Sequence, residues 1–161
     1  MVSTPDYLSL LAEADKIFKA KWPEAVTFTA LGQPVSGVAK SSKDLTEWSF
    51  IAETNSGAAE LVYSGGSWGT PSIKGTWIGL QFLPLPQGKL SLDQAIAAIS
   101  AQGFTEGFSD VSMGTAVYYQ AEPMYWFCID KMTQGISAET GKYYPNLMPC
   151  SAGHPGHLSA G

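Results

Sequence analysis

Apolar residues recur every three or four positions near the start of the chain, which is the spacing of an amphipathic helix. Thr4 suits the N-cap and Pro5 the first helical position, where a missing N–H costs nothing. Pro23 disfavours helical geometry at Trp22 and ends the helix there. The predicted buried face consists of Leu8, Leu11, Ala14, Phe18 and Trp22.

Three strands are predicted after this helix. Residues 25–32 alternate apolar side chains with threonine, and residues 47–53 and 58–64 are two further apolar stretches. The intervening sequence TNSG contains Asn and Gly, which tolerate the positive φ of a tight turn. The first part of the chain therefore has the order α-β-β-β.

The same order is predicted again after residue 90. Ser91 and Gln94 form a capping box at the start of a helix, and Gly103 supplies its end. The buried stripe of this helix is Leu92, Ala95, Ile96 and Ile99. Strands follow at 108–119, 124–130 and 135–144, and the last can turn at the sequence ETGK.

The predicted fold class is therefore α+β, with two tandem α-β-β-β units, each a helix packed on an antiparallel sheet. The first unit spans residues 1–68 and the second spans 90–146. An aromatic connecting segment, 69–89, lies between them, and 147–161 is predicted to be a flexible tail. The pattern leaves open whether the strands of both units join into one sheet.

The second unit resembles a PepSY-type domain. The resemblance rests on the capped helix, the aromatic strand PMYWFCI and the sequence SAETGKYYP at 137–145, and the first unit would be a degenerate copy. It implies binding or inhibition of a partner protein and carries over no catalytic residue. Tandem α-β-β-β units also resemble beta-lactamase inhibitory protein, at the level of fold alone.

Composition excludes several functional classes. The net charge is -5 and all nine basic residues are lysines, which disfavours nucleic-acid binding and phosphoryl transfer. No apolar stretch of 18 residues is present, so we expect no membrane span. The N-terminus lacks the features of a signal peptide. The low charge content, 14%, favours a secreted or periplasmic protein that has lost its signal, with the cytoplasm as the alternative.

Cys128 has three interpretations. Within the apolar run MYWFCID it can be a buried hydrophobic side chain, half of a disulfide with Cys150, or a nucleophile. A nucleophile would need an activating base, and the two histidines, His154 and His157, both lie in the predicted tail. Their spacing beside Cys150 can bind metal, but a flexible tail is the simpler interpretation. We therefore predict no metal site and no cofactor.

Three aromatic residues are the predicted partner-binding residues: Trp68, Trp77 and Phe82. The alternative is that they fold down and cover the sheet. The sequence favours a non-enzymatic binding or inhibitory module that recognises a protein partner. The alternatives are a hydrolase-type enzyme with a site assembled from distant residues, and a carrier of a small apolar ligand. Partner identity and oligomeric state are left open.

Overall fold

The computed structural model describes residues 6–75, 85, 88–115 and 123–150. The helices are α1 (Tyr7–Lys21) and α2 (Leu92–Ala101), with a short 3-10 helix at Ser42–Asp44. The strands are β1 (Val26–Gln33), β2 (Glu47–Thr54), β3 (Gly57–Ser64), β4 (Ser67–Trp68), β5 (Ser72–Gly75), β6 (Asp110–Thr115), β7 (Pro123–Ile129), β8 (Met132–Ser137) and β9 (Tyr143–Pro149). Within these ranges, neither helix has the length and apolar character needed to cross a bilayer.

All nine strands form one antiparallel sheet. The order is β4-β3-β2-β1-β6-β7-β8-β9, and β5 also pairs with β3. The halves of the chain meet where β1 pairs with β6, with Ala30 opposite Met113. The prediction of two tandem units, each a helix on its own sheet, is therefore wrong. Pairing of β1 with β6 satisfies the backbone groups that two separate sheets would leave unpaired at those edges.

The main hydrophobic core lies between the helices and one face of the sheet. Buried side chains of α1 and α2 belong to the same apolar cluster, together with strand residues from both halves. Phe50 on β2 and Phe127 on β7 are fully buried in this cluster. Both helices share this core, so the described residues form a mostly β fold, with two helices and one nine-stranded antiparallel sheet.

The first helix differs from its prediction at its start. Asp6 is the N-cap and accepts a hydrogen bond from the Ser9 N–H at 2.8 Å, and the predicted cap, Thr4, lies outside the described residues. Leu8 is 56% exposed, although the sequence places it on the buried face. Tyr7 and Leu10 are buried instead. The end of the helix is as predicted, with Trp22 as the C-cap.

The second helix matches its prediction, and the segment predicted as a strand at 135–144 turns at ETGK, as the sequence allows. Ser91 and Gln94 form the capping box, and the four predicted stripe residues are buried. The predicted strand 135–144 turns after Ser137 and becomes β8 and β9. Ser137 Oγ accepts hydrogen bonds from the N–H groups of Glu139 and Thr140, so ETGK forms a hairpin turn.

The predicted tail and connecting segment contain strands. Residues 147–149 belong to β9, because their backbone pairs with β8 and places Pro149 opposite Met132. Within the segment 69–89, β5 pairs with β3. Residues 151–161 lie outside the described part of the chain.

Both faces of β7 are buried. Tyr125, Phe127 and Ile129 face the helices. Met124 and Trp126 face the other way, as the alternation predicts, and Tyr144, Leu147 and Met148 of β9 pack against them.

Candidate functional site

A cavity of about 480 Å³ lies where the N-terminal ends of the two helices come together. Its walls come from both helix starts, the 3-10 helix, the end of β6, the start of β7 and the residues before α2. Tyr7, Leu92, Met113, Met124, Tyr125 and Ala138 line the cavity and are buried. Exposed residues of the lining include Asp6, Leu8, Lys89, Ser91, Asp93 and Gln94. The cavity therefore has an apolar floor and a polar mouth.

The α2 side of the cavity is fixed by the hairpin turn between β8 and β9. The Ala138 carbonyl accepts hydrogen bonds from the N–H groups of Lys89 and Leu90, at 2.7 and 2.8 Å. Gly88 approaches so closely that an added Cβ would lie 2.5 Å from the Ala138 carbonyl oxygen. Its φ of +82° is a second reason for glycine at this position. The Tyr125 hydroxyl donates a 2.7 Å hydrogen bond to the Leu90 carbonyl. This bond also fixes the segment that precedes α2.

The α1 side is fixed by aromatic packing. The Tyr7 ring stacks on Trp48, with 5.3 Å between ring centroids, and Trp48 stacks on Phe50. The Trp48 indole N–H donates to the Leu45 carbonyl at 2.9 Å, which fixes the ring. Tyr7 is thereby held between the core and the cavity.

Both tyrosines of the cavity are uncharged at physiological pH. Burial raises the pKa of Tyr125 to about 12. Burial, and then the nearby Tyr125, raise the pKa of Tyr7 far above its ordinary value. The two rings therefore provide apolar surface without negative charge.

Of the three predicted partner-binding residues, the structure describes Trp68. Trp68 is half-buried, and its ring packs on Phe50 and Tyr63 with centroid distances of 5.8 and 4.9 Å. Its indole N–H donates to Glu13 at 2.9 Å. Trp68 thus covers the edge of the core and does not line the cavity. Trp77 and Phe82 lie outside the described residues.

The two cysteines form a disulfide. Cys128 on β7 and Cys150 after β9 are joined, with 5.8 Å between their Cα atoms. Cys128 is also buried, so two of its three sequence interpretations hold together. A sulfur in a disulfide is not a thiolate, so this state offers no cysteine nucleophile.

No catalytic or metal-binding cluster stands out in the part of the chain that the structure describes. There, no group of three or more His, Cys, Asp or Glu side chains is placed to hold a metal. His154 and His157 lie outside that part.

Local patterns do not reveal this cavity, because its walls come from six separate stretches of sequence. The one local signal is Leu8, whose position on a helical apolar stripe predicts burial. Leu8 is instead exposed at the mouth of the cavity, where its apolar side chain is free to contact a ligand.

Comparison with known proteins supports the fold alone. No protein-family model and no curated protein matches the chain. The fold is similar to the crystal structure of a "putative lipoprotein" from Clostridium difficile 630, with a TM-score of 0.57 and 12% sequence identity over 89% of this chain and 93% of that chain. The PepSY-type resemblance thus has no family match behind it, and its motif forms the turn that supports α2.

Proposed function

We propose that this protein is a non-enzymatic binding module whose cavity receives a small ligand with an apolar body. The observation that carries the proposal is the cavity of about 480 Å³ with a buried apolar floor. Pockets for small molecules are typically about 300–1,000 Å³, mostly apolar, with a few polar groups at fixed places. This cavity has that size and that distribution of side chains.

The lining suits apolar ligands of varied shape. Met113 lines the cavity and belongs to the core cluster on the helix side of the sheet, and its unbranched methionine side chain adapts to irregular surfaces. Leu8 adds an exposed apolar side chain at the mouth. Binding would remove this surface, as well as the floor, from water.

The protein-partner role that the sequence and its PepSY-type resemblance imply is the second candidate. It would use Trp68 as an anchor, and this side chain retains some exposure at the edge of the core. Its hydrogen bond to Glu13 and its packing on Tyr63 give it a structural role already. The cavity is therefore the better-supported binding site.

The test is titration of the whole protein with octanol, an uncharged apolar probe, followed by calorimetry. We expect saturable binding with one site and a rise in the thermal unfolding midpoint, because a ligand that binds only the folded state stabilises it. Leu8→Ser should weaken octanol binding by up to about tenfold, since the lost apolar contact corresponds to roughly 1.4 kcal/mol.

Val35→Ser is the matched control. Val35 is 76% exposed and does not line the cavity, so its replacement should leave octanol binding unchanged. Absence of saturable octanol binding in the wild-type protein, or equal losses in the two variants, would contradict the proposed site.

A further inference from the structure

One buried hydroxyl in the wall of the cavity has no hydrogen bond to the rest of the described chain. Tyr7 is 8% exposed and lines the cavity at the start of α1. Stacking on Trp48 holds its ring, but within the described residues no hydrogen bond joins its hydroxyl to another group. A buried tyrosine hydroxyl usually has a hydrogen-bond partner. The Tyr7 hydroxyl is therefore available to a ligand that enters the cavity.

The second tyrosine of the cavity has already used its proton. The Tyr125 hydroxyl donates to the Leu90 carbonyl at 2.7 Å. Burial, and then the nearby Tyr125, raise the pKa of Tyr7, so the Tyr7 oxygen keeps its proton throughout the physiological range. Of these two hydroxyls, Tyr7 is thus the one that can donate a hydrogen bond to a ligand.

The surroundings of the Tyr7 hydroxyl favour an uncharged ligand group. Leu92 and Met113 are apolar and buried, and a charge placed on such a floor costs much free energy unless it is paired. The charged side chains of the lining are exposed and of both signs: Asp6, Lys89 and Asp93. Because they offset one another at the mouth, they give no strong preference for a charged ligand.

We propose that the ligand of this cavity carries an uncharged oxygen, in a hydroxyl or a carbonyl group, that accepts a hydrogen bond from the Tyr7 hydroxyl. The inference rests on the proposed function and adds the chemical class of the polar group. The apolar body would cover the floor at Leu92 and Met113. A ligand without this oxygen would take the Tyr7 hydroxyl out of water and leave it unpaired, which costs free energy. Tyr7 would therefore determine specificity.

The test compares Tyr7→Phe with the wild-type protein and uses three aromatic probes of similar size. Benzyl alcohol has a hydroxyl group, acetophenone has a carbonyl group, and ethylbenzene has no oxygen. By calorimetry we expect the variant to bind the two oxygen-containing probes about fivefold more weakly, a ratio that corresponds to roughly 1 kcal/mol. Ethylbenzene should bind the variant at least as tightly, because no hydroxyl is then left unpaired.

Two controls separate the hydroxyl from the ring. Phe keeps the ring that stacks on Trp48, so ligand-free Tyr7→Phe should be at least as stable to urea as the wild-type protein. Lower stability would overturn the inference, because it would show that the hydroxyl has a partner within the protein. Tyr63→Phe is the matched variant, since Tyr63 is partly buried against the core and does not line the cavity. It should leave the binding of all three probes unchanged.

The outcomes distinguish this inference from the proposed function. If the probes bind, and Tyr7→Phe binds benzyl alcohol and acetophenone as tightly as the wild-type protein does, the hydrogen bond is wrong and the cavity remains a ligand site. Equal losses for all three probes would also overturn the inference, because they would show that the variant disturbs packing. A loss confined to benzyl alcohol would overturn the donor role of Tyr7, since the acetophenone oxygen is an acceptor. If no probe binds, both proposals fail.

Discussion

A single glycine allows the aromatic stack behind the cavity to form. Gly32 on β1 lies under Trp48, and an added Cβ would come within 2.7–2.9 Å of three atoms of the indole ring. Trp48 is a large side chain held by its hydrogen bond to Leu45 and by stacking on Tyr7. The ring cannot move without disturbing the wall of the cavity.

We therefore predict that Gly32→Ala destabilises the protein by about 1–3 kcal/mol, the usual effect of overpacking a well-filled core. Urea denaturation measures the change. Gly75→Ala is the matched control, because Gly75 is also in a strand, lacks a positive φ and has no atom within 4 Å of an added Cβ. Equal stability of the two variants would show that the space under Trp48 can expand freely.

At the scale of elements, the sequence predicts the features that residues a few positions apart determine, such as the start of a helix and the two faces of a strand. The Ser91–Gln94 capping box locates the start of α2, and the alternation of Tyr125, Trp126 and Phe127 assigns the two faces of β7. Both signals arise from residues a few positions apart, so no knowledge of the rest of the fold is needed.

Such local signals do not show which distant strands pair with each other. The pairing of Ala30 with Met113 joins strands that are separated by nearly half the chain, and either strand alone would fit the edge of a separate sheet. The cavity depends on that pairing, because Tyr7 and Tyr125 come from opposite halves of the sequence. The fold class and the site were therefore beyond local patterns.

The disulfide joins β7 to the residue that follows β9, the strand at the edge of the described sheet. We predict that Cys128→Ala with Cys150→Ala lowers the free energy of unfolding by about 3 kcal/mol, the loop-closure value for the sequence separation of 22 residues. Urea denaturation of the oxidised protein and of the variant measures the difference. Amide exchange in β9 should also rise.

Chemical reduction of the wild-type protein is the control for this prediction. It breaks the same bond without changing the sequence, so it should produce a similar loss of stability. If the reduced protein and the double variant are both as stable as the oxidised protein, β9 is held by its strand pairing and by packing on Trp126 without help from the disulfide.

For the whole molecule, one sheet with a main core shared by both halves implies that the two halves unfold together. Side chains from α1, α2 and strands of both halves belong to the same buried cluster, and β1 pairs with β6 across the centre. Removing the contacts of either half would leave apolar surface of the other exposed to water. The folded state should therefore be lost in one cooperative step.

We predict that a conservative core substitution in the second half lowers the protection of amides in the first half against hydrogen exchange. Ile136 on β8 is fully buried, and Ile136→Val should cost about 0.5–1.5 kcal/mol. Native-state hydrogen exchange should show the same loss of protection for the slowest amides of β2 and of β7, because these exchange through global unfolding.

Val38→Ala, a change at a half-exposed side chain, should leave both sets unaffected. A loss confined to β7 and β8 would mean that the second half opens as an independent unit, and that the shared sheet does not couple the two halves.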